Sequence, residues 1–237
     1  MPSIGSKMAN KDKNDFGQFD PHRLVFHMSI GGVMICAFGA MLSIWSVIGT
    51  LGWDIINLRI DKLGDYLSSP LAYVYNICLL FAGASFVIAM LGLFSMKYNR
   101  FSRYISIIGG CTGLGIMLLG IYPFNDPVSH RMAALFFVTS SLAMFVLLIL
   151  TRRNNKELCS IPLFVTAIVG LASSIGLLAQ INPETLDYLP CGPLEEFCPV
   201  AFTMWIHTSA TMLAGIGLAL MARSLIHQAI EERRPAL

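Results

Sequence analysis

Six stretches of this chain are too long and too apolar to fold against water: approximately Phe26 to Leu51, Leu71 to Met96, Tyr104 to Tyr122, Ser129 to Thr151, Ile161 to Ile181 and Val200 to Ile226. Hydrocarbon about 30 Å thick is crossed by roughly 20 helical residues, and backbone groups in lipid must bond within their own helix. Each run therefore predicts a spanning α-helix. The fold class is all-α, a polytopic transmembrane bundle of about six helices. Charged residues make up 13% of the chain, half the roughly 25% of soluble domains, so water is not its main solvent.

The connections alternate in charge. Lys97, Arg100 and Arg103 follow the second run, and Arg152, Arg153 and Lys156 follow the fourth. With Lys7, Lys11, Lys13 and Arg23 before the first run and Arg223, Arg233 and Arg234 at the end of the last, one side holds 13 of the 16 Lys and Arg residues. That side sums to 13 − 6 = +7 and the other to 3 − 8 = −5. Positive charge stays on the cytoplasmic side, which puts both termini there, most simply in a plasma (cell) membrane. An odd number of spans would spoil this alternation. The organisation reads as a polar cytoplasmic segment over 1–25, a six-helix domain over 26–226 and a cytoplasmic tail over 227–237. The overall charge of +2 and the short basic clusters give no reason to expect a nucleic-acid partner. The first 25 residues lack the apolar core of a secretory signal.

Two longer loops lie on the acidic side, Gly52 to Pro70 and Asn182 to Pro199. The first, WDIINLRIDKLGDYLSSP, alternates apolar and charged residues and suits either a short amphipathic helix at the interface or an irregular cap over the bundle. Trp53, Tyr66, Tyr73, Tyr75, Tyr122, Tyr188 and Trp205 gather toward the same side, as in an aromatic belt. Cys191 and Cys198 flank GPLEEF in the second loop; in an oxidising compartment they form a candidate disulfide, the alternative being two free thiols. Cys36, Cys78, Cys111 and Cys159 share no spacing and read as small packing residues.

Polar side chains inside a span are costly and so carry a functional hypothesis. Here they are Asn76 in the second helix, Ser129, His130 and Arg131 opening the fourth, Gln180 and Asn182 closing the fifth, and His207, which a rise of about 1.5 Å per residue puts roughly 10 Å into the sixth. All fall in the acidic-side half. Asp126 lies just before Pro127, where Asn125 or Asp126 would cap the fourth helix. Two readings compete. In one, the histidines are interhelical hydrogen-bonding glue. In the other, His130, His207, Asn76, Asp126 and Gln180 line one outward-opening polar pocket for a lipid headgroup or other polar ligand. A third use, the two histidines as haem or metal ligands, requires them to face each other across the bundle. No cofactor is otherwise expected.

No HExxH, CxxC, nucleophile elbow, P-loop or strand-associated GxGxxG occurs, which removes the commonest enzyme signatures. Glycines crowd the third helix (IGGCTGLGIMLLG), predicting close packing there. HRMAALFF and HTSATMLA, at the starts of the fourth and sixth helices, hint at an internal repeat of two three-helix halves.

The Gly-rich third helix ending in GIYPFNDP, followed by SHRMAALFF, together with Asn76, Asp126, His130 and the Phe136 and Phe137 pair, resembles a bacterial and archaeal six-helix membrane family of unknown function and, more distantly, the FRAG/DRAM/Sfk group. The layout matches over residues 26–226 and the specific motif over about 25 of them. The resemblance implies a non-enzymatic or lipid-linked role, since members of the wider group are associated with lipid organisation, lipid remodelling or modulation of other membrane processes. Cys191, Cys198 and His207 have no counterpart in that pattern. The leading expectation is a multi-pass protein that binds a lipid or membrane partner without covalent chemistry. The alternatives are a redox or metal-dependent membrane enzyme using His130 and His207, and an accessory subunit of a larger membrane complex.

Overall fold

The computed structural model describes residues 20–96, 98–154, 156, 158–193 and 196–232. It contains six long helices, each apolar and long enough to cross a membrane. They are α1 (Pro21–Leu51), α2 (Ala72–Ser95), α3 (Arg100–Ile121), α4 (Pro127–Asn154), α5 (Ile161–Ala179) and α6 (Pro199–Glu232). Two 3-10 turns, Gly52–Asn57 and Ile60–Gly64, separate α1 from α2, and a two-stranded hairpin, β1 (Ile181–Asn182) with β2 (Asp187–Tyr188), separates α5 from α6.

Local chemistry sets the ends. α1 starts five residues before its apolar run because Asp20 accepts hydrogen bonds from the amides of His22 and Arg23, with Pro21 in the first turn. The polar segment read over 1–25 therefore ends at this cap, and residues 1–19 lie outside the described residues. Asn99 and Ser102 close a reciprocal capping box on α3. Ser160 caps α5, with Pro162 next in its first turn. At the other end of the chain, α6 runs to Glu232, six residues beyond the apolar stretch, so the tail read as starting at 227 is at first helical.

Each helix packs on its neighbours in sequence, and α6 closes the ring against α1. α3 makes its closest approaches through glycine. A Cβ on Gly113 would sit 3.0 Å from the Gly83 carbonyl of α2, and one on Gly115 would sit 2.8 Å from the Phe137 Cα of α4. These approaches are the close packing that its glycine content predicts.

The two ends of the ring differ. At the basic end Met90, Leu93, Met144, Phe145, Leu148 and Leu218 are buried together and fill the centre. Gly170 makes room there for the Phe145 ring. At the other end the loop between α1 and α2 folds inward as a cap, burying Ile55, Ile60 and Leu63 against Leu79, Val138 and Met204. It is not a helix lying at the interface; Ile55, Ile60 and Leu63 belong to the protein core, while Trp53, Ile56 and Leu67 stay exposed. The aromatic belt is likewise thinner than the sequence suggests. Trp53, Tyr66, Tyr73 and Tyr122 are exposed, whereas Tyr75 and Tyr188 are buried in the cap region.

Candidate functional site

A cavity of about 120 Å³ lies between the packed basic end and the cap. One water needs roughly 10–15 Å³ on this scale, so the space takes something much larger. Its wall follows α2 from Tyr75 to Phe86, about 16 Å at 1.5 Å per residue. The deep end is largely apolar, with Val33, Phe86 and Met212 beside Thr208 and Thr211, and all six helices contribute. Near the cap the wall carries Asp61, Tyr75, Asn76, His130 and Tyr188.

The polar end is built around an arginine whose side chain is only 11% exposed. Arg59 forks onto Asp61 with Nε–Oδ1 at 3.2 Å and Nη2–Oδ2 at 2.6 Å, the bidentate geometry that suits guanidinium and carboxylate. Its guanidinium stands 5.4 Å from the Phe124 ring centre and 5.3 Å from that of Tyr188, and a second carboxylate, Asp187, lies 3.9 Å away. The hairpin delivers Asp187 and Tyr188 to this place, and Arg131 of α4 holds Asp187 at 3.3 Å and donates to the Thr185 carbonyl. Burial alone would push the Asp61 carboxyl up. The approach of His130 and the Arg59 charge outweigh it and hold the group at about 2, well below its ordinary 3.8.

His130 opens α4 and is buried. Its Nδ1 lies 2.9 Å from the Tyr122 carbonyl, which fixes the proton on that nitrogen because a carbonyl can only accept. Nε2 is left facing Asp61 Oδ2 at 3.4 Å, without a well-aligned hydrogen bond. Asn76 serves the cap itself by donating to the Gly64 carbonyl at 3.0 Å. Asn125 adds a second tie, donating to Asp65 and accepting from the Tyr66 amide.

His207 is deeper and in different company. Its Nε2 is 3.0 Å from Ser141 Oγ on α4, and its Nδ1 is 3.1 Å from Ser173 Oγ and 3.4 Å from Ser174 Oγ on α5. The edges of Phe137 and Phe145 close over it. The serine hydroxyls also reach the carbonyls of Val138 and Gly170, so a neutral imidazole finds one donor and one acceptor in either tautomer. Ser141 and His207 are spaced like a nucleophile and its base. Ser141 is fully buried, however, and forms no part of the cavity wall. The arrangement ties α4, α5 and α6 together.

His130, His207 and Asn76 thus border one cavity, and two other residues proposed for it do not. Asp126 is exposed and accepts from the Ser129 amide at 3.3 Å, the helix-capping role that its place before Pro127 allows. Gln180 terminates α5, donating to the Gly176 carbonyl and to Thr203 Oγ1. Cys191 and Cys198 are joined as a disulfide at a Cα separation of 5.3 Å, beside the start of α6. The four other cysteines are unpaired. Both ring nitrogens of His207 are occupied by serines, and Nε2 of His130 faces the Asp61 carboxylate. Among the described residues no group of three His, Cys, Asp or Glu side chains is placed to hold a metal ion.

Arg59, Asp61 and Asp187 carry the polar end, yet in sequence they are ordinary loop charges; Arg59 and Asp187 are 128 residues apart. The serines around His207 left a fainter signal, two Ser-Ser pairs inside apolar runs (VTSSLAM and GLASSIG). The histidines that open the suggested internal repeat differ in setting, one meeting a carboxylate under the cap and the other three serines within the bundle. Compared with known protein families, characterised proteins and solved structures, the chain matches none.

Proposed function

We propose that this multi-pass membrane protein takes up one amphiphilic molecule from the lipid phase and holds it non-covalently, with its polar end under the cap and its apolar end directed toward Phe86 and Met212. The supporting observation is the graded wall of a single cavity, largely apolar at depth, where His207, Thr208 and Thr211 are its polar members, and charged beside His130 at Asp61. Pockets of this kind, mostly apolar with a few convergent polar groups, are where small molecules bind. The packed basic end makes the cavity blind, which favours holding over conduction. In this reading both termini are cytoplasmic, the cap faces the opposite side, and the membrane is the plasma membrane.

The test is native mass spectrometry of protein purified in mild detergent, with the bound lipid identified after release. One amphiphile per chain is expected, and it should be absent from Ala134→Phe, which puts a ring into the cavity wall. Equal lipid on the folded Ala134→Phe protein would overturn the proposal.

A further inference from the structure

Most of the polar groups under the cap are spent on one another. Asp61 is the one carboxylate on the cavity wall among the described residues, and no Lys or Arg lies on that wall. Arg59 forks onto it, and His130 turns Nε2 toward it at 3.4 Å while its Nδ1 meets the Tyr122 carbonyl. Two further cations nearby are held as well, Arg131 by Asp187 and Lys62 by Asp65. A phosphate or carboxylate head finds no free Lys or Arg here, and an ammonium head finds a carboxylate already paired. Burying either charge without a partner is severely unfavourable.

Two phenols are the exception. Tyr75, on α2, and Tyr188, on the hairpin, both border the cavity and are only 6% and 9% exposed. The Tyr75 ring packs beside Gly64 of the cap, a Cβ on which would stand 3.3 Å from Tyr75 Cδ1, and the Tyr188 ring lies 5.3 Å from the Arg59 guanidinium. Neither hydroxyl has a hydrogen-bond partner among the described residues, and neither oxygen is sealed off as Nε2 of His130 is. Burial, with the Asp61 charge adding to it, pushes the Tyr188 phenol above its ordinary 10, so the group stays protonated and able to donate. A buried hydroxyl without an acceptor is costly, and these two are open to whatever the cavity holds.

Resting on the binding role proposed above, we infer that the ligand's polar end is a neutral carbonyl that accepts hydrogen bonds from the hydroxyls of Tyr75 and Tyr188. A lipid ester and a quinone share that chemistry. An alcohol matches it less well, because its own proton meets a carboxylate already occupied, and a hydrocarbon leaves both phenols unpaired.

The test uses one chain with five ends: methyl oleate, oleate, oleylamine, oleyl alcohol and cis-9-octadecene, each titrated into delipidated protein in detergent and followed by bound radiolabel. The ester should bind saturably at one per chain, at least about tenfold tighter than the hydrocarbon, as expected for two neutral hydrogen bonds, and tighter than the other three. Tyr75→Phe and Tyr188→Phe keep the rings and remove the donors. Each should weaken the ester about three- to fivefold and leave the hydrocarbon unchanged, and the double variant should bind the two alike. Decylubiquinone and monoolein, run as competitors against labelled methyl oleate, distinguish the quinone source from the ester one; displacement by neither overturns the head inference. That inference also fails, and the cavity reading survives, if binding is lost in Ala134→Phe but any of the other four molecules binds as tightly as the ester, or the phenylalanine variants keep the ester preference. If folded Ala134→Phe and a second filled variant, Thr208→Phe, both bind the ester like the native protein, the cavity reading itself fails.

Discussion

Replacing Asp61 with Asn keeps the shape of the polar cluster and removes its central charge. The carboxyl sits at about 2 in the folded protein against 3.8 in a free chain. At about 1.4 kcal/mol per pH unit, that difference is worth about 2 kcal/mol of folding free energy at neutral pH. Because the folded value is depressed, the contribution is complete above roughly pH 4–5 and is lost as the pH falls toward 2. The amide would also leave Arg59, only 11% exposed at its side chain, with Asp187 at 3.9 Å as its remaining counter-charge. Breaking a buried pair from one side costs about 3–5 kcal/mol when nothing compensates, which sets the upper limit. Asp61→Asn should therefore be about 2–4 kcal/mol less stable at neutral pH. SDS-driven unfolding in mixed micelles, repeated from pH 7 to below pH 3, measures this. The gap between native and variant should narrow by about 2 kcal/mol over the acid range. A gap near zero at neutral pH, or one that stays constant down to pH 2.5, would refute the reasoning.

Gly113→Ala should cost about 1–3 kcal/mol, because the new methyl meets the Gly83 carbonyl at 3.0 Å and Val87 Cγ2 at 2.9 Å. Gly110→Ala, with nothing nearer than Met90 Cβ at 4.0 Å, should be neutral or slightly stabilising; similar costs for the two would show that helix approach is not what these glycines serve. Ser141→Ala and Ser173→Ala should each cost about 0.6 kcal/mol in the same unfolding assay. Because both hydroxyls act on one imidazole, the double variant should depart from additivity, and strictly additive losses would show that His207 does not couple them.

The spans were legible because lipid imposes a length and an internal hydrogen-bonding rule on every segment that crosses it, and the glycine crowding on α3 announced its close packing for a related reason. His130, His207 and Asn76 were legible as costly polar groups in apolar runs. What they would touch was not. The partners of His130 are a carbonyl eight residues away and a carboxylate from a different loop, and nothing in the spacing of Arg59, Asp61 and Asp187 announces that they meet. Asp126 and Gln180 looked like members of the same group, but Asp126 is spent on starting α4 and Gln180 on closing α5, a local demand that competes with any pocket. The loop WDIINLRIDKLGDYLSSP has enough apolar residues for an interfacial helix. Contacts from elsewhere, the Asn76 side chain on Gly64 and the Trp205 indole on the Leu58 carbonyl, fold it inward instead.

The ring of helices has a consequence for the order of assembly. Five of its six contacts join consecutive helices and can form as each hairpin enters the membrane. The sixth, α1 against α6, joins the first and last spans, and α6 also brings His207 and the Trp205 hydrogen bond that pins the cap. Until the last helix arrives, the cavity is an open trough facing lipid. A chain stalled before α6 would leave Ser141, Ser173 and Ser174, buried against His207 in the finished bundle, without that partner in hydrocarbon, so completion of the bundle and enclosure of the cavity are a single late event.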